Sequence, residues 1–150
     1  MELKLTRTDP GNADFLTLVT SLDKHLQERD GDEHAFYAQH NKSDTIKYVI
    51  VAYDQDTACG CGAIRSFSED AMEVKRMYVA ESYRNKGIAT TILRALEDWC
   101  RELKFEICIL ETGKNQPEAI NLYTRNGYKV MPGYGKYVDV NNSVCFRKEL

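Results

Sequence analysis

The sequence lacks a long hydrophobic run and lacks an excess of positive charge. Its longest apolar stretches, 48–53 and 107–110, are far shorter than the roughly 20 residues of a membrane-spanning helix. The net charge of -3 argues against a nucleic-acid partner, because phosphate-binding proteins normally carry a basic excess. Residues 1–6 show no basic segment followed by an apolar one, so we expect no secretory signal. We therefore expect a cytoplasmic protein without membrane or nucleic-acid partners.

Metal-ligand spacing is also missing. The chain has five cysteines, and Cys59 and Cys61 are separated by one residue. No histidine or second cysteine pair stands at zinc-site spacing, and the three histidines lack convergent partners. We therefore expect reduced, mostly buried thiols and no metal.

Hydrophobic patterning predicts alternating strands and helices, without a repeat or a low-complexity linker. The predicted elements, in chain order, are a strand at 3–5, helices over 14–29 and 33–40, strands over 45–53, 57–66 and 71–79, a helix over 88–103, a strand over 105–111, a helix from 117 that stops near 127, and strands over 128–131 and 143–148. Turn-like residues between the three consecutive strands predict an antiparallel meander. The fold class is mixed α/β, in one domain over residues 1–150.

One segment combines the end of a strand, a basic turn and the start of a helix. The strand ends at Val79, the helix begins at about Gly87, and Arg84 and Lys86 lie between them. Unpaired N–H groups and the dipole at a helix start make such a turn a ready anion site, where Gly87 and Ala89 leave room for phosphate oxygens. The spacing is neither Gly-x-Gly-x-x-Gly nor Gly-Lys-Ser/Thr. This argues against a nucleotide-binding protein, which is an alternative for the same loop.

The loop reads Arg84-Asn85-Lys86-Gly87-Ile88-Ala89, which resembles the Arg/Gln-x-x-Gly-x-Gly/Ala signature of the GNAT superfamily of N-acetyltransferases. The segment 116–128 resembles the family's Asn-x-x-Ala-x-x-Leu-Tyr-x-x-x-Gly-Phe/Tyr motif, with Gln in place of the usual Asn. Residues 73–79 and 110–113 are similar to a small bacterial-type subgroup. The resemblance covers 46–148 well and implies a mixed, mostly antiparallel sheet of six to seven strands, V-shaped around the cofactor and flanked by about four helices.

The resemblance implies acetyl-CoA as co-substrate. The loop would hold the pyrophosphate, and the strand end before it would pair with the pantetheine arm and give a backbone N–H to the oxyanion. The residues so assigned are Met77, Tyr78, Val79, Arg84, Asn85, Lys86, Gly87, Ile88, Ala89, and one of the neighbouring amides Asn115 and Gln116. The alternatives are a solvated charge for Arg84 and ordinary helix-start residues for Gly87 and Ala89.

Acyl transfer to an amine needs an acid for the departing thiolate and a base for the ammonium. Tyr123 stands at the family's position for the acid, and the alternative is a core aromatic. Glu73 is the first candidate for the base, and the alternative is an exposed strand carboxylate in a surface charge ladder with Lys75 and Arg76. Glu111, which ends the next strand, is the second candidate.

The candidate residues for the acceptor come from three segments. Asp32 and Glu33 belong to an acidic turn that would suit a cationic amine, and the alternative is a solvated turn. Tyr134 lies in an aromatic loop that could cover the acceptor or cap the core, and Glu111 completes the predicted acceptor set. A small molecule or a peptide amine both remain candidates, and a homodimer through the last strand is expected as one arrangement.

The function implied is direct transfer of an acetyl group from acetyl-CoA to a primary amine in a ternary complex. Two alternatives stay open from the sequence. One is a non-catalytic module that senses acyl-CoA, and the other is a transferase of a different acyl group on the same scaffold.

Overall fold

In the computed structural model, which describes residues 1–30 and 45–150, these two ranges form seven strands and three α-helices. The strands are β1 (Leu3–Thr8), β2 (Tyr48–Asp54), β3 (Thr57–Ser66), β4 (Ala71–Val79), β5 (Ile107–Gly113), β6 (Lys129–Met131) and β7 (Ser143–Glu149). The α-helices are α1 (Ala13–Asp30), α2 (Ile88–Glu102) and α3 (Pro117–Arg125), and 3-10 turns occur at Glu81–Tyr83 and Gly135–Tyr137.

The strands form a single sheet in the order β1-β2-β3-β4-β5-β7-β6. β4 and β5 are parallel, and every other neighbouring pair is antiparallel. The expected fold class, a mixed and mostly antiparallel sheet of six to seven strands, is confirmed. Three helices are present in the described ranges instead of about four, and the helix predicted over 33–40 lies outside them.

The two faces of the sheet are covered by different helices. On one face, α2 buries Ile92, Leu93 and Leu96 in the larger core. On the other face, α1 packs Phe15 and Leu18 against β2 and β3. The start of α1 is capped by Asn12, whose Oδ1 accepts a hydrogen bond of 3.0 Å from the Phe15 N–H. The strands β2 and β3 therefore carry apolar side chains toward both helices.

The sheet opens between β4 and β5. Their pairing runs from Ala71↔Ile107 to Glu73↔Ile109, and the following residues of the two described strands do not pair with each other. Within β4 a bulge lies opposite Gly62, with Arg76 at φ 58°. A Cβ at Gly62 would lie 2.6 Å from Met77 Sδ, so the absence of a side chain lets Met77 pack across the bulge. The divergence produces the V shape that the family resemblance implied.

A buried polar cluster links α2 to the end of the sheet formed by β6 and β7. Glu97 of α2 is 2% exposed, and its carboxylate accepts hydrogen bonds from Tyr128 Oη at 2.8 Å and from Lys148 Nζ at 2.9 Å. Burial, together with the nearby Cys108 and Glu97, raises the pKa of Tyr128 above its ordinary value. A carboxylate at this depth is tolerated because both partners hydrogen-bond to it.

All five cysteines are buried and none forms a disulfide. Burial raises the pKa of Cys61 to about 12, so that thiol stays protonated. Within the described ranges, no helix has both the length and the apolar character needed to cross a bilayer. In the same ranges no three His, Cys, Asp or Glu side chains are grouped to hold a metal ion.

We predict that Lys148→Met lowers the free energy of unfolding by about 3 kcal/mol, because it leaves the Glu97 carboxylate buried without its cation. Arg101→Met is the matched control. Arg101 forms an ion pair with Asp98 in which both side chains are exposed, and such a pair is worth about 0–1 kcal/mol. Urea unfolding followed by circular dichroism measures both variants. Equal losses of stability would contradict a structural role for the buried cluster.

Candidate active site

A cleft of about 740 Å³ lies between the diverging ends of β4 and β5. It continues to the start of α2 on one side of the sheet and to α1 on the other. The residues predicted from sequence that line it are Met77, Tyr78, Val79, Arg84, Asn85, Gly87, Ile88, Ala89, Glu111, Gln116 and Tyr123. The divergence of the sheet therefore brings together residues from β4, β5, α2 and α3.

Other predicted residues lie elsewhere. Lys86, Asn115, Glu73 and Tyr134 are not among the residues that line the cleft. Asp32 and Glu33, the acidic turn proposed for the acceptor, lie outside the described residues.

The start of α2 has the geometry of an anion site. Gly87 is the N-cap residue at φ 79°, and no side chain in the described structure caps the helix there. The Thr91 N–H makes the first helical bond, 3.1 Å to the Gly87 carbonyl, so the N–H groups of residues 88–90 have no acceptor within the helix. A Cβ at Gly87 would meet nothing within 4 Å, so the left-handed backbone, not crowding, favours glycine here.

Arg84 is fixed beside this helix start. Its Nε donates a hydrogen bond of 3.0 Å to the Val79 carbonyl, and its guanidinium lies 5.5 Å from the centre of the Tyr78 ring. The turn before it is anchored to β2, because Tyr83 Oη donates to Asp54 Oδ2 at 3.0 Å. A fixed guanidinium next to unpaired N–H groups suits phosphate oxygens.

Of the neighbouring amides Asn115 and Gln116, only Gln116 lines the cleft. It precedes α3, is 6% exposed and lines the cleft, whereas Asn115 is exposed. Its Nε2 has no hydrogen-bond partner within the described part of the chain. A buried amide donor left unsatisfied costs free energy, so this atom marks a position where a ligand oxygen fits.

Tyr123 lies on α3 and lines the cleft. Its ring packs against Tyr128 and Phe146, with centroids 5.7 Å and 6.0 Å away. Burial and the charge of Glu111 raise its pKa above the ordinary value, so the phenol keeps its proton throughout the neutral range.

The two candidate carboxylates have different surroundings. Glu73 is 2% exposed, accepts a hydrogen bond of 2.5 Å from Tyr134 Oη and lies 3.7 Å from Arg65 Nη1. Glu111 lines the cleft and accepts a hydrogen bond of 2.6 Å from Ser143 Oγ. Glu111 is therefore the one of the two that a ligand in the cleft can reach.

Sequence reasoning missed part of the cleft. Lys75 lines it and is 8% exposed, so its interpretation as part of a surface charge ladder is wrong. The cleft is also lined by Leu22, His25 and Leu26 of α1. The helical spacing of the two leucines in the sequence could have indicated that they share this face of the helix. Lys75 carried no such signal, because it is buried by Tyr137, which comes from the loop between β6 and β7.

A sheet that opens between two parallel strands, beside a helix start without a side-chain cap in the described structure, is the arrangement expected from the GNAT resemblance. The model of the acetyltransferase (GNAT) family matches residues 15–128, which is most of the chain. The chain therefore belongs to the GNAT family of acetyltransferases.

Two curated relatives show how far the similarity extends. The chain is 31% identical over 136 residues to the IAA acetyltransferase of Azospirillum brasilense, covering 89% of this chain and 88% of that protein. It is 36% identical over 89 residues to "Probable N-acetyltransferase 14" of Xenopus tropicalis, covering 59% of this chain. The matched part spans 43% of that Xenopus protein.

Solved structures agree with this assignment. A Klebsiella pneumoniae protein described as a "putative acyl-CoA N-acyltransferase" superposes with a TM-score of 0.83 at 33% identity, covering 99% of this chain and 97% of that chain. A GNAT family acetyltransferase from Elizabethkingia anophelis, crystallised with acetyl-CoA bound, gives a TM-score of 0.71 at 16% identity, covering 99% and 98% of the two chains. The second likeness shows the fold alone.

We predict that Arg84→Gln weakens coenzyme A binding about tenfold to a hundredfold, because a charge-assisted contact to phosphate is worth about 1.5–3 kcal/mol. Binding of pantetheine, which has no pyrophosphate, should change little. Isothermal titration calorimetry measures both ligands. Lys129→Gln, an exposed lysine on β6, is the control for loss of one positive charge. An equal loss for both ligands would show that Arg84 does not act on the phosphates.

Proposed function

We propose that this protein transfers the acetyl group of acetyl-CoA to a primary amine. The observation that carries the proposal is the presence, in one cleft, of an uncapped helix start beside Arg84 and a protonated buried phenol at Tyr123. Family membership supports the transferase chemistry. The anion site alone would support only binding.

The described residues fit the co-substrate. The loop from Arg84 to Ala89 would bind the phosphates, and the unsatisfied Gln116 Nε2 offers a donor farther along the cleft. β4 beyond Glu73 is not paired with β5, so the edge of the strand that faces the cleft can meet an amide-containing ligand arm. When bound, acetyl-CoA supplies an acetyl thioester, whose C–S bond breaks as the amine forms an N–C bond.

Three groups of this chain would then act on the reacting atoms. Glu111 accepts a proton from the amine, directly or through a water molecule. Residues 77–79 line the cleft, and a backbone N–H from the edge of β4 that does not face β3 stabilises negative charge on the acyl oxygen. Tyr123 holds the proton needed by the leaving sulfur, and its raised pKa keeps that proton in place until it is required. Glu111 replaces Glu73 as the proposed base because Glu111 faces the cleft.

The proposal is tested by mixing the protein with acetyl-CoA and a panel of amines, amino acids and peptides. We expect thiol release with at least one acceptor, and a product heavier by one acetyl group in mass spectrometry. Binding of acetyl-CoA without release would favour the acyl-CoA sensor. Faster release from a longer acyl-CoA would favour the transferase of a different acyl group, and failure to bind acetyl-CoA would contradict the proposal.

We predict that Tyr123→Phe lowers kcat about a hundredfold or more with little change in acetyl-CoA binding, because it removes the general acid. Tyr48→Phe is the matched control, since its ring packs against Trp99 outside the cleft. A phenol is an acid only below its pKa, and that of Tyr123 is raised above the ordinary value of about 10. The wild-type kcat should therefore show no loss from Tyr123 ionisation up to about pH 10. A kcat for Tyr123→Phe equal to that of Tyr48→Phe would exclude the role.

A further inference from the structure

The cations that line the cleft differ in how far other groups of the protein engage them. Lys75 is paired with Glu73, and Arg76 also interacts with other groups of the chain. Arg125 of α3 lines the cleft as well. Within the described ranges, no hydrogen bond, ion pair or ring contact involves the Arg125 side chain. Its guanidinium is therefore available to a ligand in the cleft.

Arg125 reaches the cleft beside the start of α2. It lies in the last turn of α3, and the side chain of the next residue, Asn126, donates hydrogen bonds of 2.8 Å to the Leu122 carbonyl and 3.4 Å to Thr90 Oγ1. Thr90 belongs to the first turn of α2 and also lines the cleft. The end of α3 is thus held against the helix start whose N–H groups have no acceptor within the helix. Arg125 therefore lies next to the anion site, on a different element from Arg84.

The charges around Arg125 favour an anionic ligand group. Arg84 and Arg125 both line the cleft, and the dipole at the start of α2 adds partial positive charge. Glu118 also lines the cleft, but it interacts with other groups of the chain. It lies about two turns from Arg125, or about 10 Å along the axis of α3. A phosphate between the cations would offset the repulsion of their like charges.

The following inference rests on the proposed function, in which the start of α2 and Arg84 bind the pyrophosphate of the acyl-CoA donor. Coenzyme A carries one further phosphate, on the 3′ oxygen of its ribose, and the ribose separates this phosphate from the pyrophosphate. Arg125 offers a planar guanidinium, whose N–H groups match the geometry of phosphate oxygens. We infer that Arg125 binds the 3′-phosphate and selects acyl-CoA donors that carry it.

The test compares coenzyme A with dephospho-coenzyme A, which lacks only the 3′-phosphate and keeps the pyrophosphate. Isothermal titration calorimetry measures both ligands without an acceptor, at low ionic strength, where screening is weak. The wild-type protein should bind coenzyme A at least about fivefold more tightly, which is the effect of one favourable ion pair at an exposed arginine. Arg125→Gln should abolish this preference by weakening coenzyme A alone. Arg125→Lys should keep part of it, because an ammonium also binds phosphate.

Two other arginines provide matched controls. Arg84→Gln should weaken both ligands, since both contain the pyrophosphate. Arg94 is an exposed arginine of α2 that does not line the cleft, so Arg94→Gln should leave the preference unchanged. Thermal melting checks that every variant is folded.

Three results would overturn the inference. They are equal binding of the two ligands to the wild-type protein, equal weakening of both ligands by Arg125→Gln, and loss of the preference in Arg94→Gln, which would indicate an effect of net charge. If neither ligand binds, the proposed function itself is contradicted. Binding of both ligands without a preference contradicts only the role of Arg125.

Discussion

Parallel pairing between β4 and β5 extends over three residue pairs, and the cleft lies where that pairing ends. Up to Glu73 the sheet is continuous, and beyond Glu73 the two strands diverge. A sheet edge that lacks a neighbouring strand needs hydrogen-bond partners from water or a ligand. The divergence thus creates both the volume of the cleft and unpaired backbone along its wall. It also opens a passage between the two faces of the sheet, because residues of both α1 and α2 line the cleft.

The bulge in β4 lets one strand serve both ends of this passage. In a regular strand, residues 75 and 77 would face the same side, because side chains alternate. Here Lys75 pairs with Ala63 and Tyr78 pairs with Cys61, so one extra residue is accommodated opposite Gly62. Lys75 therefore faces α1, whereas Met77 packs toward Ile92 and Leu96 of α2. The backbone of Arg76 is left-handed at this point. This conformation costs free energy, which the hydrogen bonds of the surrounding strands must offset.

Local patterns in the sequence predicted much of the fold and part of the site. The bounds of β3 and β4 were predicted correctly, because apolar residues and turn signals define them within the segment itself. The strand, loop and helix around Gly87 were predicted for the same reason, because their signals lie within one short segment. The burial of Glu73 and Lys75 could not be predicted, since it results from Tyr134 and Tyr137, about sixty positions away in the chain. The choice between Asn115 and Gln116 depended on the orientation of α3, which no short-range pattern encodes.

The opening must also be kept from closing, because strands that lack a partner tend to pair. The structure achieves this by attaching the second half of the sheet to α2. This helix packs beneath β3 and β4, and its Glu97 bonds to Tyr128 and to Lys148 of β7. β5 is paired with β7 along its whole length, from Ile107↔Glu149 to Gly113↔Ser143, so fixing β7 also fixes β5. Directional hydrogen bonds hold a separation more strictly than apolar packing alone would, since their energy falls steeply when the geometry changes. The buried Glu97 carboxylate thus helps to set the width of the cleft.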